Sequence, residues 1–313
     1  MTIFLYSCDS STEPASEPDN EINRLGKKGN SAIEEQLQSM MTEMNAALAA
    51  GGKNFRVVMA EYITDGASGE MGNTVLQKDL GNKQLSFDFV PFDSRRAWSG
   101  PVDGDNDNIT YAVDQTGDAV PVYGGLTAAE TDAIMDNAMS TWNEANCSNL
   151  EITRNPDYGI DIGYIAFIFS GGAIGSTFIG GDVQHAGFRD LDFAGGVLGV
   201  TYTFGFTEGG DWTDIDNNGK FDCAFREIYY DPSWSWTDDV ATNGGIDLET
   251  VALHEAGHGL SQAHFGNLSF KNDGSFKASP RAVMNAFYGG ELRELLGTDN
   301  GGHCSNWAEW PNN

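Results

Sequence analysis

Residues 251–266 read VALHEAGHGLSQAHFG and hold three of the chain's five histidines. His254 and His258 stand four apart, about 40° around a helix that advances 100° per residue, so both imidazoles leave one face. Two imidazoles so placed can share one metal ion. Borderline-soft Zn²⁺ takes neutral imidazole nitrogen at about 2.0 Å, and a catalytic zinc has three protein ligands and one open position. His264 supplies the third ligand only if the helix ends and the chain turns back, because on a continuous helix it would lie about 280° from His254. Gly259, followed by the polar pair Ser261 and Gln262, makes that stop.

Glu255 follows the first histidine directly and projects beside the metal rather than onto it. That position suits a general base that takes a proton from an activated water and returns it to a leaving amine. Peptide-bond hydrolysis, with a protein or peptide as substrate, is the natural outcome. Two other readings stay open. An acid, Glu291 or Glu294, can replace His264 as third ligand, as in gluzincins. Alternatively the chain is a non-catalytic binding module at the cell surface, built on the same scaffold, although such a module has no use for Glu255.

These residues resemble the metzincin metallopeptidases, whose zinc motif reads HExxHxxGxxH, and above all their matrixin branch. The resemblance implies His254, His258 and His264 as zinc ligands and Glu255 as base. The family's Gly stands as Ser261 here, and a non-Gly residue in the left-handed region costs on the order of 1 kcal/mol. The stretch AVMNAFY resembles the family's Met-turn, which implies Met284 as the hydrophobic floor beneath the imidazoles. Tyr288 then lines the wall of the pocket for the residue after the scissile bond, with Ala286 where the family has Pro.

Upstream, ITYAVD, the helix ending MSTWNEA and the stretch HAGFRDLDFAGGVLGVTY are similar to the opening of a matrixin domain and its edge strand. In that family an extended substrate pairs with the edge strand. Val197, Leu198, Gly199, Val200, Thr201 and Tyr202 therefore offer backbone groups to a peptide. Of the family's structural-zinc ligands only His185 remains, as a loop residue, so a second zinc is not expected. No cysteine-switch motif occurs in the N-terminal segment.

DIDNNGKFD spaces Asp214, Asp216, Asn218 and Asp222 as the oxygen ligands of a calcium loop, with Gly219 at the sharp turn and Phe225 where a bidentate Glu is expected. Asp, Asn and Gly also build a hairpin turn unaided, and the sequence leaves both readings open.

Around this centre the pattern is α+β. The metzincin-like domain, residues 94–313, is expected to hold a twisted mixed sheet, the active-site helix opening at Asp247 and a second long helix. That second helix lies in LTAAETDAIMDNAMSTWNEA, where Thr127 and Glu130 have capping-box spacing. LEITR, YIAFIFS, GVLGVTYTFG and REIYYD read as strands and GELRELLG as a short helix. Residues 20–93 form a small α+β segment or pro-segment, with a helix over SAIEEQLQSMMTEMNAALAAGG and strands at FRVVMAEYIT and QLSFDFVPF. Residues 1–19 resemble the end of a lipoprotein export signal followed by a flexible Ser/Pro/acid tether, with Cys8 as candidate lipid anchor. An extracellular or cell-surface location follows, where one disulfide among Cys147, Cys223 and Cys304 is plausible. A net charge of -29, from 46 acidic against 17 basic residues, argues against nucleic-acid partners.

Overall fold

The computed structural model describes residues 31–66, 71–77, 87–96, 105–190, 195–270 and 276–312. The signal-like start, its tether and Cys8 lie outside them. No described helix is long and apolar enough to cross a membrane.

The fold is α+β around one twisted, mixed sheet. Its parallel part comprises β4 (Ile109–Val113), β5 (Ile152–Arg154), β6 (Val183–Phe188) and β9 (Phe221–Tyr230), with β4 parallel to both β5 and β6, and β6 parallel to β9. Strand β7 (Val197–Glu208) runs antiparallel to β9. The sheet does not end there, because β1 (Phe55–Thr64) adds to β7 antiparallel and β2 (Thr74–Leu76) adds to β1, giving the order β2-β1-β7-β9-β6-β4-β5. Two-residue strands, β3 (Phe87–Asp88) and β8 (Asp211–Trp212), pair with β9 and β7.

Both faces are covered, which explains why β7 and β9 are buried nearly throughout. On one face helix α1 (Ser31–Ala50) lays Ile33, Leu37, Met41, Met44 and Leu48 against Val57, Tyr62, Val200 and Tyr202. These apolar positions recur at helical spacing, and each fully buried side chain contributes roughly 1.5–3 kcal/mol relative to exposure. On the other face lie α2 (Ala128–Asn143) and α4 (Leu248–Gly259), which meet through Ile134, Met135, Trp142, Val251 and Leu253. Helix α2 begins with the expected box, the Thr127 hydroxyl accepting from Glu130 N–H and the Glu130 carboxylate accepting from Thr127 N–H. Arg96, fully buried and paired with Asp182 at 2.8 and 2.9 Å, also fastens the end of the N-terminal segment by donating to Val90 O at 2.9 Å.

Two stretches take a conformation other than the expected one. YIAFIFS is not a strand but a short helix, α3 (Tyr164–Phe169). The buried Glu227 carboxylate accepts the N–H groups of Tyr164 and Ile165, so an acid far away in sequence caps its first turn. GELRELLG is not helical; the last helix, α5 (Gly297–Trp307), starts where that stretch ends, with the Asp299 carboxylate accepting from Leu296 N–H. QLSFDFVPF shows only the two residues of β3 as strand, its first residues lying outside the described set. A disulfide joins Cys147 to Cys304, Cα atoms 5.5 Å apart, and Cys223 is free and buried.

Candidate active site

Helix α4 begins at Asp247, whose side chain accepts from Thr250 N–H, and carries His254, Glu255 and His258 in its last turns. It ends as the third histidine requires. Gln262 N–H donates back to Gly257 O and Ser261 N–H to His258 O, a Schellman closure with Ser261 in the left-handed region at φ 65°. The strain of a non-Gly residue there is offset by contacts, since the Ser261 hydroxyl accepts from Arg226 at 2.9 Å and its carbonyl from Asn306 at 2.8 Å. Trp307 Nε1 satisfies Leu260 O at 2.9 Å, so side chains of α5 finish the end of α4.

After this turn His264 comes back under the helix. His258 Nε2 lies 3.1 Å from His254 Nε2 and 3.2 Å from His264 Nε2. His254 Nδ1 faces Val283 O at 2.7 Å and His258 Nδ1 faces Gln262 O at 2.8 Å. A carbonyl only accepts, so both Nδ1 atoms carry the proton and both Nε2 atoms present bare lone pairs. Burial favours the neutral rings, holding His254 down at about 4 and His258 and His264 well below the usual imidazole value. Lone pairs facing one another at 3.1 Å repel unless a cation lies between them. The donor set, three neutral imidazoles with two oriented from behind by carbonyls, fits zinc.

Beside the trio, Glu255 is fully buried. Burial raises its proton affinity well above that of an ordinary carboxylate, the Thr201 hydroxyl and Ile63 N–H oppose the rise, and nearby Glu61 adds to it. Its Oε2 accepts from Thr201 at 2.6 Å, while Oε1 is buried with no hydrogen-bond partner. That unpaired oxygen is the one free to handle a proton. Glu61 is itself buried, its carboxyl pushed up to about 7 chiefly by desolvation, with Arg226 and Thr74 opposing, and it lies 3.4 Å from His258 Nδ1.

Met284 is buried against helix α4. A Cβ on Gly257 would lie 2.3 Å from Met284 Sδ and 2.8 Å from Trp142, so the helix has glycine where the thioether presses up between the histidines. The turn is held by Asp299, which accepts from Val283 N–H at 3.0 Å and Met284 N–H at 3.1 Å. Tyr288 lies beside the centre; its hydroxyl accepts from Asp247 N–H at 3.2 Å and its own N–H donates to Thr64 O at 2.7 Å.

The other expected residues fall as follows. Glu291 and Glu294 are exposed, and among the described residues neither joins the histidine cluster. Val197 to Tyr202 lie in β7, but their outer edge pairs with β1. His185 belongs to strand β6, not to a loop, and its Nδ1 lies 2.9 Å from the Tyr230 hydroxyl. Asp214, Asp216 and Asp222 bring carboxylate oxygens within 4.8 Å of one another. Much of that loop closes on itself: Gly219 N–H donates to Asp214, Ile215 N–H to Asp222, and Asn218 Nδ2 to Asp216. Sequence reasoning missed Thr201 as partner of Glu255, Asp299 beneath the Met-turn and Glu61 beside His258. All three act across long separations in the chain, where spacing carries no signal.

Comparison with protein families adds one finding: the family model described as Matrixin matches residues 103–269, just over half of the chain. No curated protein matches the chain.

Proposed function

Because the chain belongs to the matrixin family of zinc-dependent endopeptidases, we propose that it cleaves peptide bonds with Glu255 as general base and His254, His258 and His264 as zinc ligands. The observation that carries this reading is the convergence of three imidazole Nε2 atoms, 3.1 and 3.2 Å apart, next to a buried carboxylate with one unpaired oxygen. Bound zinc supplies a Lewis acid that polarises the scissile carbonyl and brings the pKa of a water molecule down towards about 7. Glu255 Oε1 takes the proton of that water as its oxygen bonds to the carbonyl carbon. It then delivers the proton to the amide nitrogen as the C–N bond breaks. Thr201 fixes the carboxylate through Oε2, leaving Oε1 for the transfer.

Burial raises the proton affinity of Glu255 above that of an ordinary carboxylate, the direction that suits a group which must both take a proton and give it back. Residues 94–313 are the catalytic domain in this reading and the chain acts outside the cell. Calcium at Asp214, Asp216, Asn218 and Asp222 is a secondary element, supported by the buried, unpartnered Asp214 Oδ1. The test is zinc per chain together with chelator-reversible cleavage of casein, compared between the unaltered chain and Glu255→Ala. Turnover that survives both the chelator and the substitution would remove the peptidase.

A further inference from the structure

Between His264 and Met284 the chain makes a detour. Strands Asn267–Phe270 and Phe276–Ser279 form an antiparallel hairpin that, among the described residues, pairs with no other strand. Its root is tied to the metal centre. Phe265 N–H donates to Met284 O at 2.7 Å, and the buried Asn285 donates through Nδ2 to Phe265 O at 2.7 Å and to Pro280 O at 3.3 Å. Asn285 Oδ1 accepts from Ala282 N–H at 2.9 Å, so one side chain closes both ends of the detour. The centre reaches solvent on this side: His254 and His258 are 1% and 0% exposed, whereas His264 is half-buried and runs into exposed Phe265, Gly266 and Asn267.

The charge of the detour opposes that of the chain. Residues 265–281 hold Lys271, Lys277 and Arg281 against the single acid Asp273, in a chain of 46 acidic and 17 basic residues. Elsewhere in the catalytic part cations are already used: Arg154, Arg189, Lys220 and Arg293 are each paired with carboxylates, and Arg226 is buried. Lys277 and Arg281 are exposed, and among the described residues neither has an ion pair. Arg281 donates by one arm to Glu291 O at 2.7 Å, which fixes its guanidinium. Lys277 stands opposite Ser269, five residues past His264, so the Cα atoms of Ser269 and His264 are at most about 17 Å apart, the reach of an equal length of extended peptide. At 0.15 M salt exposed charges are screened over about 8 Å, so near the hairpin these cations outweigh the distant acids.

We propose that the hairpin reads the charge of the substrate: Lys277 and Arg281 bind an Asp or Glu carboxylate lying within about five residues of the bond that is cut, which makes the chain selective for acidic peptide segments. The proposal rests on the catalytic reading given above. Arg281 offers a planar fork and Lys277 a point charge, two donors suited to one carboxylate. Exposed ion pairs are weak, so each cation contributes roughly 2- to 5-fold and the two together on the order of tenfold.

The test starts from a neutral fluorogenic peptide that the zinc-loaded full chain cuts, remade with one Glu or one Lys at successive positions on either side of the bond. At the position the hairpin reads, kcat/KM is expected to be about tenfold higher for Glu than for Lys. Lys277→Glu with Arg281→Glu is expected to reverse that ratio. Lys53→Glu with Lys220→Glu changes the net charge equally at exposed sites elsewhere and is expected to leave it. A ratio that the hairpin variant does not move overturns the proposal, as does an equal change in the control variant. On the unaltered chain, raising salt from about 0.05 to about 0.5 M should bring the ratio towards one; a ratio indifferent to salt overturns the proposal without any variant having to fold. A fluorescein-labelled peptide of repeated Gly-Ala-Glu, followed by anisotropy on chains carrying Glu255→Gln, separates the two readings. Its Kd should rise about tenfold in the hairpin variant and stay in the control. That result, with no cleavage of any peptide by any chain, leaves the hairpin its role and removes the peptidase. Cleavage with no preference between Glu and Lys at any position removes the role and leaves the peptidase.

Discussion

Thr201 Oγ1 lies 2.6 Å from Glu255 Oε2, joining strand β7 to the carboxylate beside the three imidazoles. The hydroxyl is fully buried, so no water can take its place without opening the sheet. Thr201→Val keeps the shape and leaves Oε2 unpaired. A hydrogen bond to a charged group contributes about 1.5–3 kcal/mol, so kcat/KM should fall roughly 10- to 100-fold at unchanged zinc content. Steady-state kinetics beside metal analysis decides it; full activity would show that the bond plays no part.

His264 and Glu291 compete for one role, and the structure brings only the histidine within reach of the other two rings. His264→Ala should lose its zinc on gel filtration, whereas Glu291→Ala should keep about one ion per chain, the count of a three-ligand catalytic site. Atomic absorption on the two purified variants is the measurement, and zinc retained only by His264→Ala would reverse the assignment.

Gly257 and Met284 are fitted to each other. Gly257→Ala forces a methyl against the thioether at 2.3 Å and should cost about 1–3 kcal/mol, lowering the thermal midpoint by several degrees. Met284→Ala makes room for that methyl, so the double variant should be more stable than the sum of the two single losses. Calorimetry on all four chains tests the coupling, and simple additivity would mean that the contact is relieved elsewhere.

His303 is 1% exposed and stacked on Trp142, and burial lowers its pKa to about 4. In the unfolded chain the ring titrates near 6.5, so folding holds it neutral where the unfolded state binds a proton. Its contribution is complete above about pH 6.5 and is lost as pH falls towards 4, with an upper bound on the order of 3 kcal/mol. The stability gap between the unaltered chain and His303→Gln, from urea unfolding, should shrink over that window. A gap constant from pH 7 to 4 would show that the ring takes up its proton in the fold as readily as in the unfolded chain.

What could be read in advance was what short-range spacing encodes. His254, Glu255 and His258 share a helical register, Asp247 and Thr127 are caps, and Ser261 accepts the left-handed turn that brings His264 back. The misreadings share the opposite cause. Residues 164–169 have the composition of a strand, yet Glu227, more than sixty residues on, supplies the partners that make them a helix. The edge of β7 reads as open because nothing in its own residues announces β1, whose pairing partner lies some 140 positions away. Long-range pairing of this kind is set by tertiary packing, to which local pattern is blind.

The far end of the chain braces the centre: Asp299 holds the Met-turn, Asn306 and Trp307 finish helix α4, Cys304 is bonded to Cys147, and Trp310 is packed against Trp307. During synthesis these residues emerge roughly fifty positions after His258. The histidines therefore leave the ribosome well before the scaffold that orients them exists. Until the last helix docks, the Met-turn and the end of helix α4 lack the partners that hold the three imidazoles in one place.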